Sequence, residues 1–86
     1  MNKQPYLIYW INKMETKNFI LDTDYIELCS LLKSIGVIST GGEAKAAITQ
    51  GLVKVNDKVE TRKRHKIRAG QRVQFESLEI VTISKI

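Results

Sequence analysis

The side chains best suited to chemistry in this chain are cations, and they are concentrated in one segment. Between positions 54 and 72, eight basic residues accompany only two acidic ones, Asp57 and Glu60, which gives this basic segment a net charge of +6. The eight are Lys54, Lys58, Arg62, Lys63, Arg64, Lys66, Arg68 and Arg72. The whole chain carries +5, so the basic segment holds all of the excess. This density of guanidinium and ammonium groups predicts a polyanionic partner, most often a nucleic acid.

The centre of the basic segment is predicted to be exposed. No acidic residue lies between Glu60 and Glu76, whereas a surface that is merely solvated usually mixes both signs. Residues 62–66 have too little apolar content for a buried strand, so we expect an exposed edge or a loop. His65 lies among these cations, and we interpret it as a plain exposed residue.

Residues that support catalysis or metal binding are sparse. Cys29 is the single cysteine, so an internal disulfide is excluded, and no histidine or second cysteine is spaced to complete a zinc site or a catalytic dyad. Asp22 and Asp24 lie close together, but we interpret them as residues at the start of a helix. We therefore predict that the chain is not an enzyme and that it uses no cofactor and no metal.

Length and composition predict one small cytoplasmic domain. The 86 residues, 43% of them hydrophobic, are enough for a single thin core. Residues 1–17 show no sustained period, so we interpret them as an N-terminal extension, with Met14 as a candidate alternative start, before a single domain at 18–86. Tyr6–Ile11 is apolar but too short for a membrane span, and no signal-peptide cleavage site follows it. This stretch is a candidate contact for a protein partner or a second copy.

A strand and two helices are predicted to precede the basic segment. Phe19–Leu21 is typical of a short strand. The first helix is predicted to begin at Asp24 as its N-cap, with Glu27 as the capping-box partner, and to end at Gly36. Its apolar residues at mostly helical spacing are Ile26, Leu28, Leu31, Leu32 and Ile35.

The second helix is predicted to begin at Thr40, with Glu43 at capping-box distance, and to end at Gly51. Its narrow apolar stripe consists of Ala44, Ala47 and Ile48, and permits close packing on the first helix. Gly41 and Gly42 lie in its first turn. They form either a tight turn between the helices or a place where a phosphate approaches free N–H groups.

After Gly51 the apolar period changes from helical to two. Val53 and Val55 are predicted to face the core, with Lys54 and Asn56 on the other face of the strand. Asn56 and Asp57 suit a tight hairpin turn. Further turns at 69–71 and 76–77 separate short strands, the last at 78–83. The element order is therefore one strand, two helices and several short antiparallel strands.

Two stretches resemble the RNA-binding domain named after small-subunit ribosomal protein S-four, the αL motif. Residues 42–56, GEAKAAITQGLVKVN, resemble its second helix and first strand, and residues 66–73, KIRAGQRV, its basic strand and turn. Residues 25–33 and 59–64 are most similar to the small stand-alone, YbcJ-like branch. The resemblance covers roughly residues 19–82. Gly41 departs from it, because many members of the family have arginine there.

The resemblance implies an α+β fold in which two helices pack on a small curved antiparallel sheet. It also implies that the second helix, the strand after it and the basic run contact RNA. With the free N–H groups at the start of the second helix added, the predicted RNA-binding residues are Gly41, Gly42, Lys45, Lys54, Asn56, Arg62, Lys63, Arg64, Lys66 and Arg68.

We expect a non-catalytic protein that recognises structured RNA, either ribosomal RNA or a ribosomal particle, through phosphate contacts. Every aromatic residue lies outside Lys54–Lys66, so base stacking is expected to be minor and RNA shape to dominate. One alternative is a DNA-binding helix-turn-helix, although the second helix offers few side chains for base readout. The other is a protein-interaction adaptor whose basic face docks an acidic partner.

Overall fold

The computed structural model describes residues 15–85. Tyr6–Ile11 and the candidate start Met14 lie outside the described residues. The elements are, in order, β1 (Glu15–Leu21), β2 (Ile26–Glu27), α1 (Leu28–Ser34), α2 (Gly41–Thr49), β3 (Val53–Val55), β4 (Lys58–Val59), β5 (Lys66–Ile67), β6 (Arg72–Phe75) and β7 (Leu78–Ser84). Neither helix in this range is long and apolar enough to cross a membrane.

Five strands form the main sheet in the order β1-β7-β6-β3-β4, while β2 and β5 form a separate antiparallel pair. Two helices packed on a small sheet confirm the predicted α+β class. The sheet is mixed, because β1 and β7 run parallel while all other neighbours are antiparallel. A parallel pair needs a long crossover connection, which here contains both helices. β1 is longer than predicted and includes residues 15–17 of the predicted extension.

The core lies between the two helices and one face of the main sheet. The helices contribute Leu28, Leu31 and Leu32 from α1 and the predicted stripe Ala44, Ala47 and Ile48 from α2. The sheet contributes alternate residues, among them Val53, Val55, Val73, Phe75, Leu78 and Ile80. The predicted orientation of the β3 valines is therefore confirmed, and the intervening side chains point to the outer face of the sheet, away from the helices.

The start of the first helix differs from the prediction. The helix begins at Leu28, and Glu27 occupies the N-cap position with extended backbone and no side-chain capping bond. Asp24 is not the cap, because Ile26 and Glu27 are paired in β2 with Ile67 and Lys66 of β5. The helix ends as predicted, with Gly36 just after its C-cap at φ +79°.

The second helix and the hairpin after it follow the prediction closely. Thr40 is the N-cap, and its Oγ1 accepts a hydrogen bond from the Glu43 N–H at 3.1 Å. The Glu43 carboxylate does not complete the capping box, since it accepts from Ser39 Oγ at 3.1 Å instead. Asn56 and Asp57 connect β3 to β4 with φ of 51° and 72°. Two successive left-handed residues are typical of the tight hairpin turn that was predicted.

Candidate nucleic-acid interface

The loop between β4 and β5, residues 60–65, carries the centre of the basic segment, and we call it the basic loop. Its backbone is fixed to the start of α1. The N–H groups of Leu28 and Cys29 donate to the carbonyls of His65 and Lys63 at 2.9 and 3.1 Å. These are first-turn donors that have no partner within their own helix. Of the two predicted alternatives, an exposed edge and a loop, the structure has the loop, and its carbonyls replace the predicted aspartate cap.

Glu60 stabilises the basic loop through hydrogen bonds to another residue of the same loop. Its carboxylate accepts three hydrogen bonds from Arg62. The donors are the backbone N–H at 2.9 Å, the side-chain Nε at 2.8 Å and the side-chain Nη2 at 3.0 Å. This pairing with Arg62 lowers the pKa of Glu60 to about 2, and the same contact raises the pKa of Arg62. Nδ1 of His65 lies 3.0 Å from Arg62 Nη2, and the His65 side chain is only 24% exposed. His65 is therefore part of the loop's hydrogen-bond network and not plainly exposed.

Two open grooves lined with cations meet at Arg64. The first, which we call the basic groove, is lined by Arg62, Arg64, His65, Lys66, Arg68 and Gln71. The second, which we call the helix groove, is lined by Glu27, Cys29, Ser30, Lys33, Gly41, Lys45 and Arg64. The ion pairs within residues 15–85 involve Arg62, His65 and Arg72 but not Arg64. The guanidinium of Arg64 is therefore available to a ligand from both grooves.

The helix groove contains the start of α2. Helix geometry leaves the first N–H groups of α2 without intrahelical partners. Thr40 accepts from Glu43, which leaves the N–H groups of Gly41 and Gly42 without a partner in the part of the chain that the structure describes. A side-chain carbon added at Gly42 would meet nothing within 4 Å. The space beside this turn is thus open to an anion.

Lys33 joins the helix groove although the sequence did not predict it. It lies in the last turn of α1, and its Cδ is 3.8 Å from where a Cβ on Gly41 would stand. Within the sequence it is a single lysine on the exposed side of a helix, with no charge run around it. Only the packing of α1 against α2 brings it beside Gly41 and Lys45.

Four of the predicted site residues do not line the grooves, and one of them is Gly42, next to Gly41 in the first turn of α2. Lys54 is exposed on the outer face of the sheet, in a depression with Asp57 and Gln74. Asn56 is committed to the hairpin, because its Oδ1 accepts from the Arg72 N–H at 2.9 Å. Lys63 is exposed in the basic loop but lines neither groove.

Arg72 belongs to the outer face of the sheet as well. Its guanidinium lies 2.7 Å from Asp57 Oδ2 and 3.1 Å from Glu79 Oε2. The hydrogen bond from Arg72 lowers the pKa of Asp57. The cations of the basic segment are therefore not equally available to a ligand. Arg62 and Arg72 are paired with carboxylates, whereas Arg64, Lys66 and Arg68 line the basic groove and form no ion pair within residues 15–85.

The sequence of residues 19–83, most of the chain, matches the family described as the S4 domain. The chain belongs to the S4 domain family. The predicted resemblance to the S-four type of domain is confirmed. The matched range includes every predicted RNA-binding residue and both grooves.

Individual relatives are also similar to the chain in sequence and in structure. Over 51 residues the chain is 57% identical to "Putative RNA-binding protein YbcJ" of Escherichia coli strain K12, covering 59% of this chain and 73% of the relative. Identity and coverage are the same for "Uncharacterized protein YbcJ" of Shigella flexneri. The solution structure of E. coli YbcJ, described as revealing an αL motif involved in RNA-binding, matches with a TM-score of 0.56 at 47% identity. That match covers 79% of this chain and 87% of the other. The predicted YbcJ-like branch is confirmed.

One aromatic residue of this S4 domain lies next to the basic groove, which the sequence did not predict. The ring centroid of Tyr25 is 4.7 Å from Lys66 Nζ and 5.6 Å from Arg68 Cζ. Tyr25 is about 40 positions away from them in the sequence. The two-residue ladder of β2 and β5 brings them together, and a ladder that short leaves no periodic signal in a sequence.

Proposed function

We propose that this S4 domain protein binds structured RNA through the joined surface of the basic groove and the helix groove. The observation that carries the proposal is the position of Arg64, where two cation-lined grooves built from α1, α2 and the basic loop meet. The names given to YbcJ and to its solved structure both refer to RNA, which supports RNA as the polyanion.

Arg64 is proposed as the central phosphate contact. A guanidinium donates two parallel hydrogen bonds to a phosphate, and these charge-assisted bonds are stronger than neutral ones. The backbone on both sides of Arg64 is already fixed, because the carbonyls of Lys63 and His65 accept from α1. Binding therefore orders only the side chain, which lowers the entropic cost of the contact.

The helix groove is proposed to take a second phosphate of the same RNA. The N–H groups of Gly41 and Gly42 provide donors, and the ammonium groups of Lys33 and Lys45 provide positive charge on either side. Gly41 stands where many S4 domains have arginine, so in this chain Lys33 supplies a cation to the same groove.

The proposed contacts keep most of the residues predicted from the sequence. Direct phosphate contacts are assigned to Lys33, Gly41, Gly42, Lys45, Arg64, Lys66 and Arg68. Arg62, which Glu60 holds, is assigned the shaping of the basic loop, and Lys63, which lines neither groove, is assigned only long-range attraction. Lys54 is assigned no contact with the RNA, since it lies on the outer face of the sheet. Asn56 is assigned the shaping of the β3–β4 turn.

The target is proposed to be ribosomal RNA or a ribosomal particle. The support is the kinship of this S4 domain with a ribosomal RNA-binding domain. Crosslinking in cells followed by sequencing of the bound RNA tests this finer claim. Strong enrichment of ribosomal fragments is the expected result, and an even spread over cellular RNA would exclude it.

The RNA-binding surface is tested by the salt dependence of affinity for a structured RNA. Each phosphate contact contributes about 0.7–0.9 to the slope of log affinity against log salt concentration. We expect Arg64→Gln to weaken binding and to reduce the slope by about that amount. Lys54→Gln, which removes the same charge from the outer face, is the matched control and should leave the slope unchanged. Equal changes in both variants would contradict the proposal.

The two competing functions are separated in the same series. A clear preference for duplex DNA over structured RNA at equal salt would favour a DNA-binding protein. A protein partner that stays bound after nuclease treatment, and whose binding requires Arg64, would favour an adaptor. Either result would exclude RNA as the main ligand of the grooves.

A further inference from the structure

Tyr25 is an aromatic side chain that the domain does not need for its core. Tyr25 is 38% exposed as a residue, and it is absent from the cluster of buried and partly buried apolar residues. The two other aromatic residues in the described range, Phe19 and Phe75, both pack in or against that cluster. Among residues 15–85, Tyr25 is thus the aromatic ring available to a ligand.

The position of Tyr25 is fixed by its neighbours in the chain. Ile26 pairs with Ile67 in the β2–β5 ladder, so Tyr25 stands opposite Arg68 one step further along the register. Ile67 is fully buried and Ile26 packs against the core, which turns the alternate side chains of both strands outward. The Tyr25 carbonyl accepts a hydrogen bond from Thr23 Oγ1 at 2.8 Å, which holds the backbone before the strand.

The ring contacts two cations that also line the basic groove. Lys66 Nζ is 4.7 Å and Arg68 Cζ is 5.6 Å from the ring centroid. The basic groove is lined by both Lys66 and Arg68, together with Arg64. A flat apolar surface therefore lies beside groups suited to hold phosphates, which is the combination that binds an unstacked base and its backbone.

We propose that Tyr25, Lys66 and Arg68 form a stacking site for one unpaired base of the bound RNA. The base stacks on the Tyr25 ring, and the two cations move from the ring to the phosphates that flank this nucleotide. The exchange is favourable because a cation–π contact at an exposed site is weaker than base–aromatic stacking, and the cations gain charge-assisted hydrogen bonds. This inference rests on the proposed function and adds that the RNA must present an unpaired base.

The experiment uses two short RNA hairpins with the same stem. One carries a single bulged 2-aminopurine, and the other has no bulge. We expect the unmodified protein to prefer the bulged hairpin by about tenfold, the typical size of one base–aromatic stack. We also expect it to quench the fluorescence of the bulged base. Tyr25→Leu, which keeps an apolar side chain without a ring, should lose both the preference and the quenching. Tyr25→Phe should retain both.

The outcomes separate this inference from the proposed function. If Tyr25→Leu keeps the preference, or weakens binding of both hairpins equally, the stacking site is wrong. Loss of binding of both hairpins in Arg64→Gln, with no effect of Tyr25→Leu, would uphold the RNA-binding surface and exclude the stacking site. If the unmodified protein binds neither hairpin, both proposals fail. Retention of the preference by Tyr25→Phe shows that the ring and not the hydroxyl is responsible.

Discussion

At the scale of single residues, the number of cations in the basic segment does not equal the number that a ligand meets. Arg62 and Arg72 are both held by carboxylates, the first by Glu60 at 2.8 Å and the second by Asp57 at 2.7 Å. Arg64 lies only two positions from Arg62 but forms no ion pair within residues 15–85. The two acidic residues of the segment therefore lower its net charge and also determine which of its cations are paired.

Glu60→Gln is predicted to destabilise the protein in a pH-dependent way. The folded pKa of Glu60 is about 2, below the ordinary value of 4.5, so its contribution is complete above pH 4.5 and is lost as the pH falls through about 2. We expect the variant to lose about 1–2 kcal/mol near neutral pH, the lower part of the range for a hydrogen bond to a charged group, because the Arg62 side chain is largely exposed. Urea unfolding at several pH values measures the difference, which should shrink between pH 4.5 and 2.

Glu76→Gln is the control for this series. Glu76 is exposed in the turn between β6 and β7 and forms none of the ion pairs of residues 15–85. Its neutralisation should change the unfolding free energy by less than about 0.5 kcal/mol. A difference between Glu60→Gln and the unmodified protein that stays constant down to pH 2 would contradict the role assigned to Glu60.

At the scale of elements, α2 links the stability of the domain to its proposed ligand surface. Thr40 caps the helix whose first turn lies in the helix groove. We expect Thr40→Ala to cost about 1 kcal/mol of unfolding free energy, since it removes the acceptor for Glu43 N–H. Urea unfolding measures this loss. Binding of the RNA should weaken as well, because the turn that offers the Gly41 and Gly42 N–H groups frays.

Thr49→Ala is the matched control for the cap. The Thr49 hydroxyl bonds back to carbonyls of its own helix, Lys45 O at 3.0 Å and Ala46 O at 3.2 Å. Such bonds add little to helix stability. A stability loss in Thr49→Ala as large as in Thr40→Ala would mean that the capping bond is not what stabilises the start of α2.

Elements whose signals are local could be predicted from the sequence. The Thr40 cap, the end of α2 at Gly51 and the Asn56–Asp57 hairpin each depend on a few adjacent residues. The start of α1 could not be predicted, because its first N–H groups are satisfied by carbonyls of the basic loop more than 30 residues away. Asp24 has the side chain of a local cap, but the two residues of β2 pair with β5 and are therefore not helical.

The residues of the candidate site could likewise be predicted only where they are neighbours in the sequence. Charge density located Arg62, Arg64, Lys66 and Arg68, since these cations are neighbours in the sequence. Lys33 and Tyr25 were missed, because each joins the candidate site only through a contact between distant elements. Packing of α1 on α2 places Lys33 there, and pairing of β2 with β5 places Tyr25 there. Lys54 was expected on the same surface, whereas strand alternation directs it to the other side of the sheet.

At the scale of the whole molecule, the two sides of the domain differ in how their charges are paired. The outer face of the sheet carries Arg72 with its two carboxylate partners. The side of the helices and the basic loop carries the two grooves, whose cations come from α1, α2, the basic loop, β5 and the turn after β5. Because the proposed RNA-binding surface lies on the side of the grooves only, we expect the domain to take one orientation on RNA.

The central claim is that RNA contacts both grooves at once, and the salt slope of RNA affinity tests it most directly. The decisive variant combines Lys45→Gln from the helix groove with Arg68→Gln from the basic groove. Its control combines Lys54→Gln with Lys85→Gln, which lies in a depression with Asp22 and Asp24. Both variants lose two positive charges. We predict a slope shallower by about 1.4–1.8 for the first pair and unchanged for the second. Equal slopes for the two pairs would contradict the claim, because net charge alone would then explain binding.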